Sequence, residues 1–317
     1  MGKTIESLRA ARRHSELLAR RLSRRFVIRR LHRDPGGGAE RSVLVAGTGR
    51  SGTTWLADLV DAAAPTRLMF EPFHCGRVKE YERFPFILYM RPDTRCEALR
   101  SYCERVFTGQ IRDPWIDRAV SHLRPRLRLI KAIRANLLLK WIRERFPEIP
   151  IVFIVRHPCA VVASRMKLDW ATDRDLESIL SQRDLISDFL GDHLDTVRRA
   201  REPEEKHAVV WCIHNMVPLR QLHRDDACWV SYERLVSSPD EEIRRILSYL
   251  RIEGSLTEAR LGRPSTTSQG WSAMVRGEDA LQQWRSYLDA QQIRRVWSVL
   301  EAFGLSGLYD DPLGPTF

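Results

Sequence analysis

Between Val43 and Leu56 the chain reads VLVAGTGRSGTTWL, an apolar run followed by glycines at positions 47, 49 and 52 and then by hydroxyl residues. A strand that ends in a glycine turn and gives way to a helix presents backbone N–H groups to an anion, so this stretch is a candidate phosphate cradle. Triphosphate loops carry a lysine just before the hydroxyl that sits on magnesium, and that lysine reaches the terminal phosphates. Here the lysine position is Thr53, and the cation of the loop is Arg50, placed before the last glycine. A planar fork of donors there lies against an anion rather than reaching along a triphosphate. Arg50, Ser51, Gly52, Thr53 and Thr54 are therefore expected to hold a phosphate-like group, and not ATP.

A second basic position follows the most apolar stretch of the chain, in IPIVFIVRHPCAVVASR. Arg156 leaves the end of that stretch, and Ser164 lies eight residues on, about two turns into the following helix. With the free amides of that helix, the pair would bind a second phosphate. The alternative is a strand-end arginine paired with a carboxylate, and a small residue that lets helix approach sheet.

The elements that must carry these residues alternate. RSVLVAG reads as a short buried strand, with a helix over 53–63; RLRLIKAI reads as the next strand, followed by the helix NLLLKWIRERF. IPIVFIV, rich in β-branched residues, belongs in the middle of a parallel sheet covered on both faces. Pro158 then starts a helix at the position where its missing donor does no harm. ACWVSYERL reads as a further strand, and the C-terminal third is helical. The pattern predicts an α/β fold: a P-loop-like, doubly wound sheet of central parallel strands flanked by helices, with ligands at the carboxyl ends of the strands.

The formal charge is +11, but eleven Lys or Arg against Glu6 and Glu16 give residues 1–33 a net +9, which leaves the remainder close to neutral. That first segment reads as a basic amphipathic helix, with Leu18, Leu22 and Phe26 on one side. It is either a solvated packing helix or an arm for a membrane surface or polyanion. No long apolar run follows its basic residues, as a secretory signal would require, and no later run is long enough to span a bilayer. DPGGGAE, Asp34 to Glu40, is expected to be a flexible joint. Residues 1–40 thus form an arm and linker, and 41–317 one domain with an insertion of helical character at 76–125. Six scattered cysteines are expected to be reduced, in keeping with a cytoplasmic location, with the inner membrane surface as the arm's alternative. Neither they nor the nine histidines have metal-ligand spacing, so no metal is expected.

GRSGTTWL followed by IVRHPCAVVASR resembles the sulfotransferases that use 3'-phosphoadenosine 5'-phosphosulfate (PAPS). The resemblance runs from about Arg41 to the C-terminus, strong at these two motifs and faint between them. It implies that the first loop holds the 5'-phosphosulfate, that Arg156 and Ser164 grip the 3'-phosphate, and that no magnesium is needed. It further implies Trp55 stacked on adenine, Tyr232 beside it on a tyrosine-glutamate strand, and Arg276 and Gly277 in a late loop over the 3'-phosphate, where the usual lysine is replaced. Arg50 stands where many members carry a lysine.

In the cytosolic branch the base lies in a Lys-x-His segment; here LIKAIR keeps Lys131 but puts Ile133 at the histidine position, and isoleucine cannot accept a proton. The carbohydrate and tyrosylprotein branches use a glutamate after the first helix, and Glu71 in MFEPFHC is at the equivalent place. Shielding by Met69, Phe70 and Phe73 should raise its proton affinity, as suits a general base; the alternative is a carboxylate paired with an arginine to fix the next turn. His74 is the competing base, and Lys131 would contact the sulfuryl group. Within 76–125, Tyr81, Phe84, Phe86 and Tyr89 with Arg77, Lys79, Arg83, Arg91 and Arg95 are expected to line a site for a glycan, lipid or small-molecule alcohol, while half of them are expected simply to cover the sheet. Two other classes compete. A P-loop kinase or nucleotidase is opposed by Thr53 and by the lack of a Walker-B aspartate after IVFIV; a polyanion-binding module is opposed by the concentration of charge in the arm and the nearly neutral body.

Overall fold

In the computed structural model, residues 27, 28, 30–254, 281–309 and 315 are described. Residues 1–26 and 29 of the basic arm, Leu18, Leu22 and Phe26 among them, and the late loop with Arg276 and Gly277 lie outside the described residues. Five strands, β1 (Ser42–Ala46), β2 (Thr66–Phe70), β3 (Leu127–Ala132), β4 (Ile151–Val155) and β5 (Cys228–Ser231), form one parallel sheet in the order β2-β3-β1-β4-β5. The chain goes from β1 outward to β2, returns to β3, then crosses to β4 and β5. Strand order therefore reverses around β1, and the carboxyl ends there form the crevice of a doubly wound sheet.

The strands are short and almost wholly buried because both faces are covered. Leu44, Ala46, Met69, Ile130 and Phe153 join the larger core, packed by the helices Pro158–Met166 and Pro203–Gln221. Val43, Val45, Leu68, Leu129 and Ile154 point the other way, into the core shared with the helices Thr53–Ala63 and Pro239–Tyr249. This alternation explains the unbroken apolar composition of β4: with period two and two dry faces, every side chain is inside. Each Val, Leu or Ile so buried contributes roughly 1.5–3 kcal/mol.

One strand went unread in the sequence, and two expectations about local structure are corrected. β2 is not legible as a strand in the sequence, since the TRLMF run contains Arg67; the arginine is accommodated because its guanidinium is buried and donates to Asp34, Asp117 and the carbonyls of Gly109 and Ile111. The segment from Asp34 is not a flexible joint. Asp34 accepts from both Arg67 and Arg128, Arg128 also donates to the Gly36 and Gly38 carbonyls, and a 3₁₀ turn at Ala39–Arg41 leads into β1. Two fully buried arginines need that carboxylate, which outweighs the entropy the glycines lose. Finally, ACWVSYERL is a strand only to Ser231, whose hydroxyl accepts from the Arg234 N–H and caps the helix Tyr232–Ser237; Tyr232 opens a helix rather than lying on a strand.

The span 76–125 carries one regular helix, Glu97–Phe107, between 3₁₀ turns at Lys79–Tyr81 and Ile116–Ala119. Tyr81 and Tyr89 from this span are core residues. All six cysteines are free thiols. Among the described residues no helix is long and apolar enough to cross a membrane.

Candidate functional site

The loop after β1 is shaped by two glycines that no other residue could replace. Gly47 has φ +147° and a Cβ there would lie 2.4 Å from the Ile154 carbonyl oxygen; Gly52 has φ +92° and a Cβ would lie 2.5 Å from the Tyr232 ring. Two buried asparagines fix the turn from the opposite side. Asn136 accepts from the Gly47 N–H at 3.0 Å, and Asn215, on the long helix Pro203–Gln221, donates to the Thr48 hydroxyl at 3.1 Å. Between the glycines, Arg50 itself has φ +81°, a left-handed conformation that a non-glycine residue holds only when its surroundings impose it.

Arg50 Nε donates to Ser164 Oγ at 3.0 Å, and Arg156 Nη1 donates to the Arg50 carbonyl at 3.1 Å. The Arg156 guanidinium lies over the Tyr232 ring at 4.0 Å, and Tyr232 meets Trp55 edge-on at 5.9 Å. The first motif and the second thus form one continuous surface rather than two separate sites. Burial, and then the neighbouring Arg156, pull Arg50 down to about 10, which still leaves it charged at neutral pH. Two partly buried guanidinium groups on one wall repel one another and favour an anion between them. Ser51 Oγ and Trp55 Nε1 are buried with no hydrogen-bond partner among the described residues.

Beside β1, the register of β2 and β3 sets a second group. Phe70 pairs with Lys131, and the Glu71 N–H donates to the Lys131 carbonyl, so the carboxylate leaves the strand end at the level of the loop. Glu71 also has positive φ, +48°. Its carboxylate accepts from Lys131 Nζ at 2.6 Å, Arg134 Nη1 at 3.2 Å and the Ile133 N–H at 3.2 Å. The expected rise in proton affinity is corrected here. Burial does push the carboxyl up, but Lys131, Arg134 and the Ile133 N–H together outweigh it and hold Glu71 below the usual carboxylate range. Lys131, over the Phe70 ring at 4.6 Å, is lowered by burial despite its carboxylate partner.

His74 is half-buried between Phe86 and Trp115, and its Nδ1 accepts from the Gly76 N–H at 3.2 Å. Burial, followed by the field of Arg134, lowers it to about 4, so it is neutral at pH 7.

These groups face a cavity of about 270 Å³. From the residues singled out in the sequence it collects Arg50, Gly52, Thr53, Thr54, Trp55, Glu71, His74, Lys131, Arg156 and Tyr232. Ser164 stands behind Arg50, and Ser51 is buried in the loop. Sequence reasoning missed Trp115, Arg118, Arg134 and Trp170, which also line it, and the supporting Asn136 and Asn215. Only the asparagines left a signal, Asn136 at the start of the apolar NLLL run and Asn215 in the buried middle of the helix Pro203–Gln221. Among the described residues five cations, Arg50, Arg118, Lys131, Arg134 and Arg156, line the cavity against the one carboxylate of Glu71. Such a surplus in a partly enclosed space favours a ligand with several negative charges.

Residues 42–257 match a family model described as the sulfotransferase family, and this match spans more than half of the chain. Among solved structures, the sulfotransferase domain from the curacin biosynthetic pathway is 14% identical, covering 84% of this chain and 98% of that one, with a TM-score of 0.45. The sulfotransferase domain of a Synechococcus olefin synthase is 17% identical, covering 86% and 96%, with a TM-score of 0.44. A mouse sulfotransferase complexed with PAP is 13% identical, covering 87% and 86%, with a TM-score of 0.42. No curated protein matches the sequence.

Proposed function

Since this chain belongs to the sulfotransferase family, we propose that it transfers the sulfuryl group of PAPS to an acceptor hydroxyl, and that the cavity at the carboxyl ends of β1, β3 and β4 is where it does so. One observation carries the reading: Arg50 and Arg156, from two motifs far apart in sequence, lie against one another on the same cavity wall. The residues fit a doubly anionic adenosine compound. Arg50 and the amides of Gly52, Thr53 and Thr54 would hold the 5'-phosphosulfate, Arg156 with Ser164 the 3'-phosphate, and Trp55 with Tyr232 the adenine. The unpartnered Ser51 and Trp55 donors agree with such a ligand.

PAPS supplies an activated sulfuryl group; transfer forms an S–O bond to the acceptor, breaks the S–O bond to the 5'-phosphate, and releases a proton from the hydroxyl. Arg50 stabilises the charge left on the phosphate, since a guanidinium held in place by Ser164 needs no reorganisation as that charge grows. Lys131 lies at the sulfuryl group. Glu71 is the base. Among the described residues it is the one carboxylate lining the cavity, and it stays ionised at any physiological pH, whereas His74 spends Nδ1 on the Gly76 N–H. Its low proton affinity depends on Lys131 and Arg134, so sulfuryl oxygens that draw Lys131 away make Glu71 more basic when donor is present. The acceptor is a glycan, lipid or small-molecule alcohol, reached from the side of Phe70, His74 and Trp115. A cytoplasmic location, with the inner membrane surface open to residues 1–33 through their net positive charge, belongs to the same reading.

Thermal unfolding tests the donor assignment. Adenosine 3',5'-bisphosphate without magnesium should raise Tm, while magnesium-ATP and an oligonucleotide should do so much less. Stabilisation by magnesium-ATP alone would instead place the chain with the kinases.

A further inference from the structure

The donor accounts for the cations of the loop side, but the cavity has a second set on the β2 edge. Arg156 leaves β4, three strands from β2, which is about 14 Å at ~4.8 Å per strand. On the β2 side, Arg118 and Arg77 lie over the Trp115 ring at 4.1 and 5.1 Å. Arg174 and Arg134 lie over Phe86 at 4.2 and 4.4 Å. Both rings flank His74, and the low affinity of that histidine for protons comes, after burial, from Arg134, with Arg174 and Arg77 adding to it. Four guanidinium groups therefore converge around one neutral imidazole next to Glu71.

Of the four, Glu71 pairs with Arg134 alone, and its other oxygen is taken by Lys131. Arg134 Nε is buried without a hydrogen-bond partner among the described residues. Arg77 and Arg174 are exposed, lie outside the cavity wall behind Trp115 and Phe86, and have no carboxylate partner among the described residues; their contacts are those two rings, and for Arg174 also Cys75 Sγ. Stacking on a ring holds a guanidinium in one plane while leaving its N–H groups free for an oxyanion, so little rotamer freedom is lost on binding. A wall built for a neutral alcohol would need no such concentration of charge beside a general base, where it works against proton removal by lowering the base's pKa.

We infer that the hydroxyl this site sulfates belongs to a molecule that carries its own oxyanion, a carboxylate or a phosphate, gripped by the arginines stacked on Phe86 and Trp115. This rests on the sulfuryl-transfer reading of the cavity. The acceptor's charge orients its hydroxyl toward Glu71, and the ring faces pack against its apolar surface.

The test uses the full chain with labelled PAPS and matched acceptors: hexuronic acids against their methyl esters, and sugar or glycerol phosphates against the parent alcohols. The charged member of a pair should have the higher kcat/KM, by at least ~10-fold for a charge-assisted contact. It should also raise Tm further when adenosine 3',5'-bisphosphate is saturating, and the carboxylate and phosphate arms tell the two oxyanions apart. Exchanging both Arg77→Glu and Arg174→Glu should reduce the charged-to-neutral ratio by a similar factor. If the bisphosphate stabilises the chain but no charged member adds to it, the inference is overturned while the donor reading stands. A neutral partner used as well as its charged counterpart, or a ratio unmoved by charge reversal, overturns it equally. If the bisphosphate itself does not bind, the donor reading fails and takes the inference with it.

Discussion

Replacing Glu71 by glutamine separates the structural from the chemical work of that side chain. The carboxylate is 2% exposed and bonded to Lys131 Nζ at 2.6 Å, Arg134 Nη1 at 3.2 Å and the Ile133 N–H. Glu71→Gln keeps the volume and an acceptor for the N–H but removes the charge that compensates two cations. Breaking a buried ion pair in this way costs about 3–5 kcal/mol. The low end is expected, since Lys131, already lowered by burial, can lose its proton instead. At about 2 °C per kcal/mol for a chain of this size, Tm should fall by roughly 6 °C. Turnover, measured well below that Tm with saturating donor, should fall at least ~100-fold if Glu71 takes the acceptor proton. The pH dependence supplies a further check. Because the folded Glu71 carboxyl is held below its unfolded value, its stabilisation is present above that unfolded value, near pH 4.5, and is lost as pH falls through the folded pKa. The variant should therefore lose less stability on acidification than the parent. Normal turnover in a correctly folded variant would refute the base assignment and leave His74 as the remaining candidate; an unchanged Tm would refute the ion-pair geometry.

Arg156→Ala should weaken adenosine 3',5'-bisphosphate by about 2 kcal/mol, near 30-fold in Kd by calorimetry, because a charge-assisted contact is lost; an unchanged Kd would remove the second phosphate position. Removing residues 1–26 should leave Tm within a few degrees, whereas Asp34→Ala should cost about 3–5 kcal/mol in denaturant unfolding by stranding Arg67 and Arg128. Equal stability of the two would mean that the ion cluster does not form.

The fold class and the loop that carries Arg50 were legible in the sequence for a common reason: both are written in local signals. β4 announces itself because a strand dry on both faces has no polar positions, and the loop at Gly47–Gly52 because left-handed backbone and close approach to Ile154 and Tyr232 leave no choice of residue. Pro158 marked its helix for the same local reason. What the sequence hid depends on partners distant along the chain. Arg67 spoils the pattern of β2 unless Asp34 and Asp117 are brought to it, and the glycines after Asp34 suggest freedom that the same carboxylate removes. The apolar neighbours of Glu71 point to a raised pKa; only the pairing of β2 with β3 sets Lys131 and Arg134 against it and reverses the sign. Arg77, Arg118, Arg134 and Arg174 come from four separate segments, and no spacing along the chain could have gathered them around Phe86 and Trp115. Glycine, proline and an unbroken apolar run are signals carried by neighbours in sequence, while the charge state of a buried group is decided by neighbours in space, which exist only once the sheet has set its order.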